Sequence, residues 1–97
     1  MGYRFTVKAE EDIIRLFREG VRLFGSDQAL AYHREIEALI GLIAQSPKIS
    51  RERNEITPPV RIHPHKSHII VYLIEDSGDV LIVRVRHRHE DWEDNPF

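Results

Sequence analysis

The sequence predicts an α+β domain: an N-terminal strand, an α-helical hairpin, then an antiparallel β meander, with the helices packed on one face of the sheet. Three observations predict it. Apolar residues in the first half recur at spacings of three and four, the period of a helix with one buried side. From Lys48 onward the pattern changes to a period of two, the mark of strands. Turn-forming residues fall at the joins, at Gly25-Ser26-Asp27, Ser46-Pro47, Pro58-Pro59 and Asp76-Ser77-Gly78-Asp79.

Taken in order, Tyr3-Arg4-Phe5-Thr6-Val7 alternates aromatic or β-branched residues with polar ones, a short strand expected at or near a sheet edge. After Lys8, the acids Glu10, Glu11 and Asp12 suit a helix N-terminus, and Ile13, Phe17, Val21 and Phe24 mark one stripe of a helix from Ala9 to Phe24. Gly25 is expected to end it, and Ser26 or Asp27 to cap a second helix through a side-chain oxygen. Ala29, Tyr32, Ile36, Leu39, Ile40 and Ile43 form the second stripe, with His33, Arg34 and Glu37 facing away, until Ser46-Pro47 stops the helix. The strands expected next are Arg53–Ile56, Val60–His63, a long Ser67–Glu75, and Val80–His87 joined to it by the Asp-Ser-Gly-Asp hairpin.

Alternation assigns faces within these strands. In the last one Leu81, Val83 and Val85 are expected to face the helices, leaving Arg84, Arg86 and Arg88 with Ile82 on the open side. Val60 and Ile62 are likewise expected inward, with Arg61 and His63 outward. The long strand is apolar on both sides, as a strand covered on each face should be. Ile70 and Tyr72 are therefore assigned to the open face, as the apolar centre of a basic docking surface.

Composition narrows the function classes. The chain has 97 residues, 41% hydrophobic and 31% charged, which is too apolar for a disordered segment, and its run Ile69 to Ile74 is too short to span a bilayer. Residues 1–97 read as a single domain with an acidic tail at 89–97. Without cysteine there is no disulfide, thiolate nucleophile or cysteine-zinc site. Met1-Gly2-Tyr3-Arg4-Phe5 has no charged-then-apolar leader, so the expected location is the cytoplasm. Formal charge runs −1 over residues 1–47, +3 over 48–88 and −4 over 89–97, a basic half beside an acidic tail that suggests a partner of opposite sign.

The ordered set Tyr3–Val7, Ala9-Glu10-Glu11-Asp12-Ile13-Ile14, Phe24-Gly25, Gln28-Ala29, Tyr32, Arg61, Ser67-His68-Ile69-Ile70-Val71-Tyr72, Val83-Arg84-Val85-Arg86-His87 and Asp91-Trp92 resembles the ParE toxins of the RelE/ParE superfamily. The resemblance implies the toxin half of a bacterial type II toxin-antitoxin pair, in a hetero-oligomer with a ParD-like antitoxin and acting on DNA gyrase to block replication. It implies no cofactor, no membrane and no sequence-specific nucleic-acid contact. Arg61, Ile70, Tyr72, Arg84, Arg86 and Arg88 are the expected antitoxin contacts. Trp92 is expected either to meet the target or to fold back over the sheet edge, as an indole in an acidic tail can do both.

The superfamily's RelE-like branch implies the alternative, a ribosome-dependent mRNA endoribonuclease, for which Arg53, Arg61, Arg84 and His87 are the nearest candidates. Arginine stabilises phosphate but cannot exchange a proton, so His87 or His65 would carry acid–base work alone, beside a tail whose charge repels RNA. No catalytic residue is therefore assigned. His63-x-His65 and His87-x-His89 each place two rings on one side of a strand, but Pro64 disturbs the first pair and no third ligand stands at a fixed spacing, so no metal is expected. Tyr32 reads as a core residue whose hydroxyl finds a partner, and His68 as a hydrogen-bonding residue at the strand entrance.

Overall fold

A five-stranded mixed sheet carries two helices on one side, in the order strand, helix pair, four strands, in a computed structural model that describes residues 2–90 and 92–97. Met1 of the expected leaderless start, and Asp91 of the acidic run and of the closing Asp-Trp pair, lie outside the described residues. The elements are β1 (Tyr3–Phe5), α1 (Val7–Phe24), α2 (Ser26–Gln45), a short 3-10 turn (Pro47–Ile49), β2 (Glu52–Arg53), β3 (Val60–His65), β4 (His68–Ile74) and β5 (Val80–His87). The sheet order is β1-β5-β4-β3-β2, so β1 is an edge strand as expected and lies parallel to β5, while β2 to β5 form the antiparallel meander.

Local chemistry moves several boundaries. β1 ends at Phe5, although the Thr6 amide still donates to the Ile82 carbonyl at 3.0 Å, and Thr6 is the N-cap of α1. Its Oγ1 accepts from the Ala9 amide at 3.0 Å, capping α1 two residues earlier than the acids suggested, and donates to the Val83 carbonyl at 2.7 Å. One threonine thus starts the helix and pins it to β5. Gly25 serves both helices: at φ 89° it ends α1 and stands at the N-cap of α2, where no side chain, neither Ser26 nor Asp27, makes a capping bond. The hairpin closes tightly because Gly20 faces Ala29, where a Cβ at residue 20 would sit 3.2 Å from that methyl group. At the other end β2 is only Glu52–Arg53, β3 runs two residues longer than expected, and Lys66 at φ 54° makes the β3–β4 turn.

The sheet separates two apolar clusters. On the helix side Ala9, Ile36, Ile40 and Ile43 pack on Ile70, Tyr72, Val80, Ile82 and Val85. On the other side Ile56, Val60, Ile69, Val71 and Val83 pack with Ile62, Leu73, Leu81, Trp92 and Phe97. Ile70 and Tyr72 therefore face the helices rather than an open surface, and both are fully buried. Val60, Ile62, Leu81 and Val83 lie on the face opposite to the one expected, and Ile82 turns inward. Two physical reasons account for this. Alternation tells which residues share a face but not which face the helices take, and here the chain covers both. In addition, a β-bulge sets Val83 and Arg84 against Val71 alone, which reverses the phase of β5 partway along. No helix among the described residues is long and apolar enough to cross a membrane.

Candidate functional site

α1 is an amphipathic helix whose apolar arc is wider than the sheet can cover. Of its 18 residues only Ala9 and Asp12 are buried, while Ile13, Leu16, Phe17 and Val21 are half-buried. Ile14, Leu23 and Phe24 remain 51%, 55% and 62% exposed. The missed signal lay in the sequence: Ile14, Leu16 and Leu23 fall beside the stripe Ile13, Phe17, Val21, Phe24 and broaden it. A cleft opens on each flank of the helix. The first, about 440 Å³, lies between α1, α2 and β1, with Phe5, Ile13, Ile36 and Ile40 in its lining and Glu10 and Glu37 among its polar groups. The second, about 360 Å³, lies between α1 and the ends of β4 and β5, where Leu16, Leu23, Phe24 and Val85 meet His68, His87, Glu19 and Glu90.

Asp12 holds the two layers together beneath the second cleft. Its Oδ2 accepts from Arg84 Nε at 2.6 Å and from the Val85 amide at 3.0 Å, and its Oδ1 from Arg84 Nη2 at 2.9 Å and Arg15 Nη1 at 3.4 Å. Four donors satisfy a carboxylate that would otherwise be costly to bury. The hydrogen bond to Asp12 also raises the Arg84 guanidinium above its ordinary range. Past residue 82, β5 has no strand beside it on the β1 side, and this is where the Asp12 carboxylate takes the free Val85 amide. Arg84, placed by sequence reasoning among the outward contacts, is thereby turned to the chain's own helix, and its Nη1 donates to the Phe97 backbone oxygen at 3.2 Å.

The other expected contacts are dispersed. Arg61 lies on the helix side of β3, where its Nη1 donates to the Ser50 carbonyl at 2.6 Å, and His63 Nδ1 is hydrogen-bonded to Ser50 Oγ at 2.8 Å. Arg86 pairs with Glu90 and donates to the Asn95 carbonyl, each at 2.9 Å. Arg88 is exposed. Trp92 folds back onto the second face, with the Arg53 guanidinium 5.4 Å from its ring centre. The face expected to be open is thus occupied by the segment that follows β5.

The histidines gather where the β3–β4 hairpin meets α2 and the end of β5. His68 Nδ1 and the Tyr32 hydroxyl are 2.8 Å apart, which gives both residues the hydrogen-bonding roles expected of them. His65 Nε2 meets Glu35 at 3.0 Å, Lys66 Nζ meets the same carboxylate at 2.8 Å, and the His68 and His87 rings are centred 5.4 Å apart. Burial, and then the charge on His87, pushes His68 below its ordinary value; burial pushes the Tyr32 hydroxyl up. Among the described residues no three of His, Cys, Asp and Glu converge as metal ligands do.

Residues 3–92 match the family model for "ParE toxin of type II toxin-antitoxin system, parDE". The chain is 36% identical over 72 residues, 74% of each chain, to Toxin ParE1 of two Mycobacterium tuberculosis strains. It is 28% identical over 86 residues to Toxin ParE1 of Caulobacter vibrioides, covering 89% of this chain and 88% of that one. Among solved structures, one described as the chromosomal ParDE TA system from P. aeruginosa has the same fold, with a TM-score of 0.77 at 20% identity over 90% of this chain and 95% of the other.

Proposed function

Because this chain belongs to the ParE toxin family of type II toxin-antitoxin systems, we propose that it acts by docking, held by a ParD-like antitoxin in the bacterial cytoplasm and, once free, inhibiting DNA gyrase to block replication. The observation that carries the docking reading is the unfinished cover of α1: Ile14, Leu23 and Phe24 stand exposed on one helix, beside two apolar clefts. Isolated surface leucines need no explanation, but exposed apolar groups continuous with a cleft mark a contact surface. An antitoxin segment that folds on binding can lay an amphipathic helix along such a flank and bury it. Arg88 and the partly exposed Arg61 are its polar contacts in this reading. Ile70 and Tyr72, fully buried, reach no partner while the fold is intact.

The endoribonuclease alternative would place its proton transfers at His68 and His87 in the second cleft. That cleft also presents Glu19 and Glu90 against the single arginine Arg15, a poor setting for a polyanion. The test is to express the chain with and without any small protein whose gene adjoins its own, and to add the purified chain to gyrase and supercoiled plasmid. Growth arrest relieved by the neighbour, and linear plasmid accumulating with gyrase, are the expected results. Normal growth, or codon-linked mRNA cuts abolished by His87→Ala, would overturn the reading.

A further inference from the structure

The second face of the sheet is covered by side chains rather than by a secondary-structure element. Beyond β5 the chain leaves the sheet, and the backbone hydrogen bonds of Glu90 and Trp92 are local, to the His87 and Glu90 carbonyls. What fixes this segment is of another kind. Trp92 and Phe97 pack on the apolar strip formed by Ile56, Val60, Ile69, Val71 and Val83, and Pro96 is buried with them. Arginines fence the strip: Arg86 holds Glu90 and the Asn95 carbonyl; Arg84, paired with Asp12, gives its remaining Nη1 to the Phe97 backbone oxygen; and Arg53, paired with Glu55 at 2.7 Å, lies over Trp92 with Glu93 at 3.9 Å. An apolar strip ringed by guanidinium groups is thus filled by an acidic, aromatic segment of the same chain.

We propose that this strip is a binding site for an acidic, aromatic segment of a partner protein, for which Glu90 and residues 92–97 are the intramolecular stand-in. The occupant seen in place defines the chemistry: an indole or phenyl ring for the strip and the face of Arg53, a carboxylate and a carbonyl for Arg86, and a backbone oxygen for Arg84. Arginine suits both parts, since its planar fork takes carboxylates and its face lies on aromatic rings. Exchange is open to this segment in a way it is not to a strand. A segment held by side chains opens locally, at a smaller free energy than the sheet. An empty strip would expose Val60, Val71 and Val83 to water, so the tail leaves when a like segment replaces it. A basic segment gains nothing there, because it meets the arginines with like charge.

The full chain supplies its own probe, because Trp92 is the single tryptophan. The titrant is a peptide copying residues 89–97 with phenylalanine in place of the tryptophan; the control carries lysine in place of each acid. As the tethered tail competes at an effective concentration on the order of millimolar, the acidic peptide is expected to red-shift Trp92 emission with a midpoint in that range. Phe97→Ala, which loosens the tail and leaves the arginines untouched, is expected to lower the midpoint about tenfold. The lysine peptide is expected to do nothing. The proposal is overturned if the acidic peptide leaves Trp92 emission unchanged in both proteins while urea shifts it, or if both peptides act alike. Should Phe97→Ala fail to fold, the wild-type titration decides alone.

Discussion

Asp12 bears more of this molecule than any other polar residue. It is the one charged side chain buried among the described residues, it lies on α1, and every partner it has except Arg15 belongs to β5. Asp12→Ala would leave the Arg84 guanidinium and the Val85 amide without their acceptor in a site nearly closed to water, and breaking such a pair costs about 3–5 kcal/mol. Total stability for a domain is about 5–15 kcal/mol, so this is a large fraction of it. Urea unfolding of Asp12→Ala is expected to show that loss, and Arg84→Met added to it is expected to recover part, since it removes the unpaired charge as well. A double variant no more stable than Asp12→Ala would mean that the pair is not what joins the layers. At the residue scale the sequence does not reveal this: an acid at a helix start reads as a dipole partner, and nothing local to residue 12 points to an arginine 72 positions away.

At the scale of elements, the sequence was legible where a pattern is periodic and ends in a turn. Both helices, the edge position of β1, the hairpin at Asp76–Asp79 and the bounds of β5 follow from such patterns. Face assignment was not legible, for β4 is apolar on both sides and the bulge at Val83 and Arg84 shifts the phase of its neighbour. That one irregularity turned Ile82 inward and Val83 outward, whereas Arg84 keeps the face beside Val71 and is taken up by Asp12 where β5 has no strand on the β1 side. The row of rings at the hairpin end is likewise a product of topology, because α2, β3, β4 and β5 each contribute to it. His68 there faces Tyr32 of α2, His65 and Ser67 of its own hairpin, and His87 and Glu90 at the end of β5. Its folded value is depressed below the ordinary 6.5 by burial and then by His87, so the unfolded chain takes up the proton first. The stabilising contribution is therefore complete above about pH 6.5 and is lost as pH falls through the folded value. Unfolding free energies measured between about pH 5 and pH 7.5 are expected to fall more steeply for the wild type than for His68→Gln, and equal slopes would remove His68 from the account.

For the whole molecule, the two sides of the sheet have unlike fates. One side is closed by the helices and the other by the chain's own acidic segment, and α1 keeps Val7, Ile14, Leu23 and Phe24 facing water, with Leu30 and Leu42 of α2, Ile49 and Tyr3 exposed elsewhere among the described residues. The basic sheet face anticipated from strand alternation is divided between internal pairs: Asp12 takes Arg84, Glu90 takes Arg86, and Ser50 takes Arg61. Membership of the toxin family was legible in the ordered motifs across residues 3–92, whereas the contact surface was not, since it depends on what the folded sheet fails to cover. On the proposed function, the flanks of α1 dock the antitoxin. Leu23 and Phe24 are exposed at the lip of the second cleft, so Leu23→Asp with Phe24→Asp alters that surface and spares the core. Calorimetric titration of this double variant with a ParD-like antitoxin that binds the wild type is the direct measurement. A loss of affinity of about a hundredfold or more, with wild-type circular dichroism and melting, is the predicted result, as two apolar hot-spot side chains at about 2 kcal/mol each would give. Wild-type affinity in a folded double variant would contradict it.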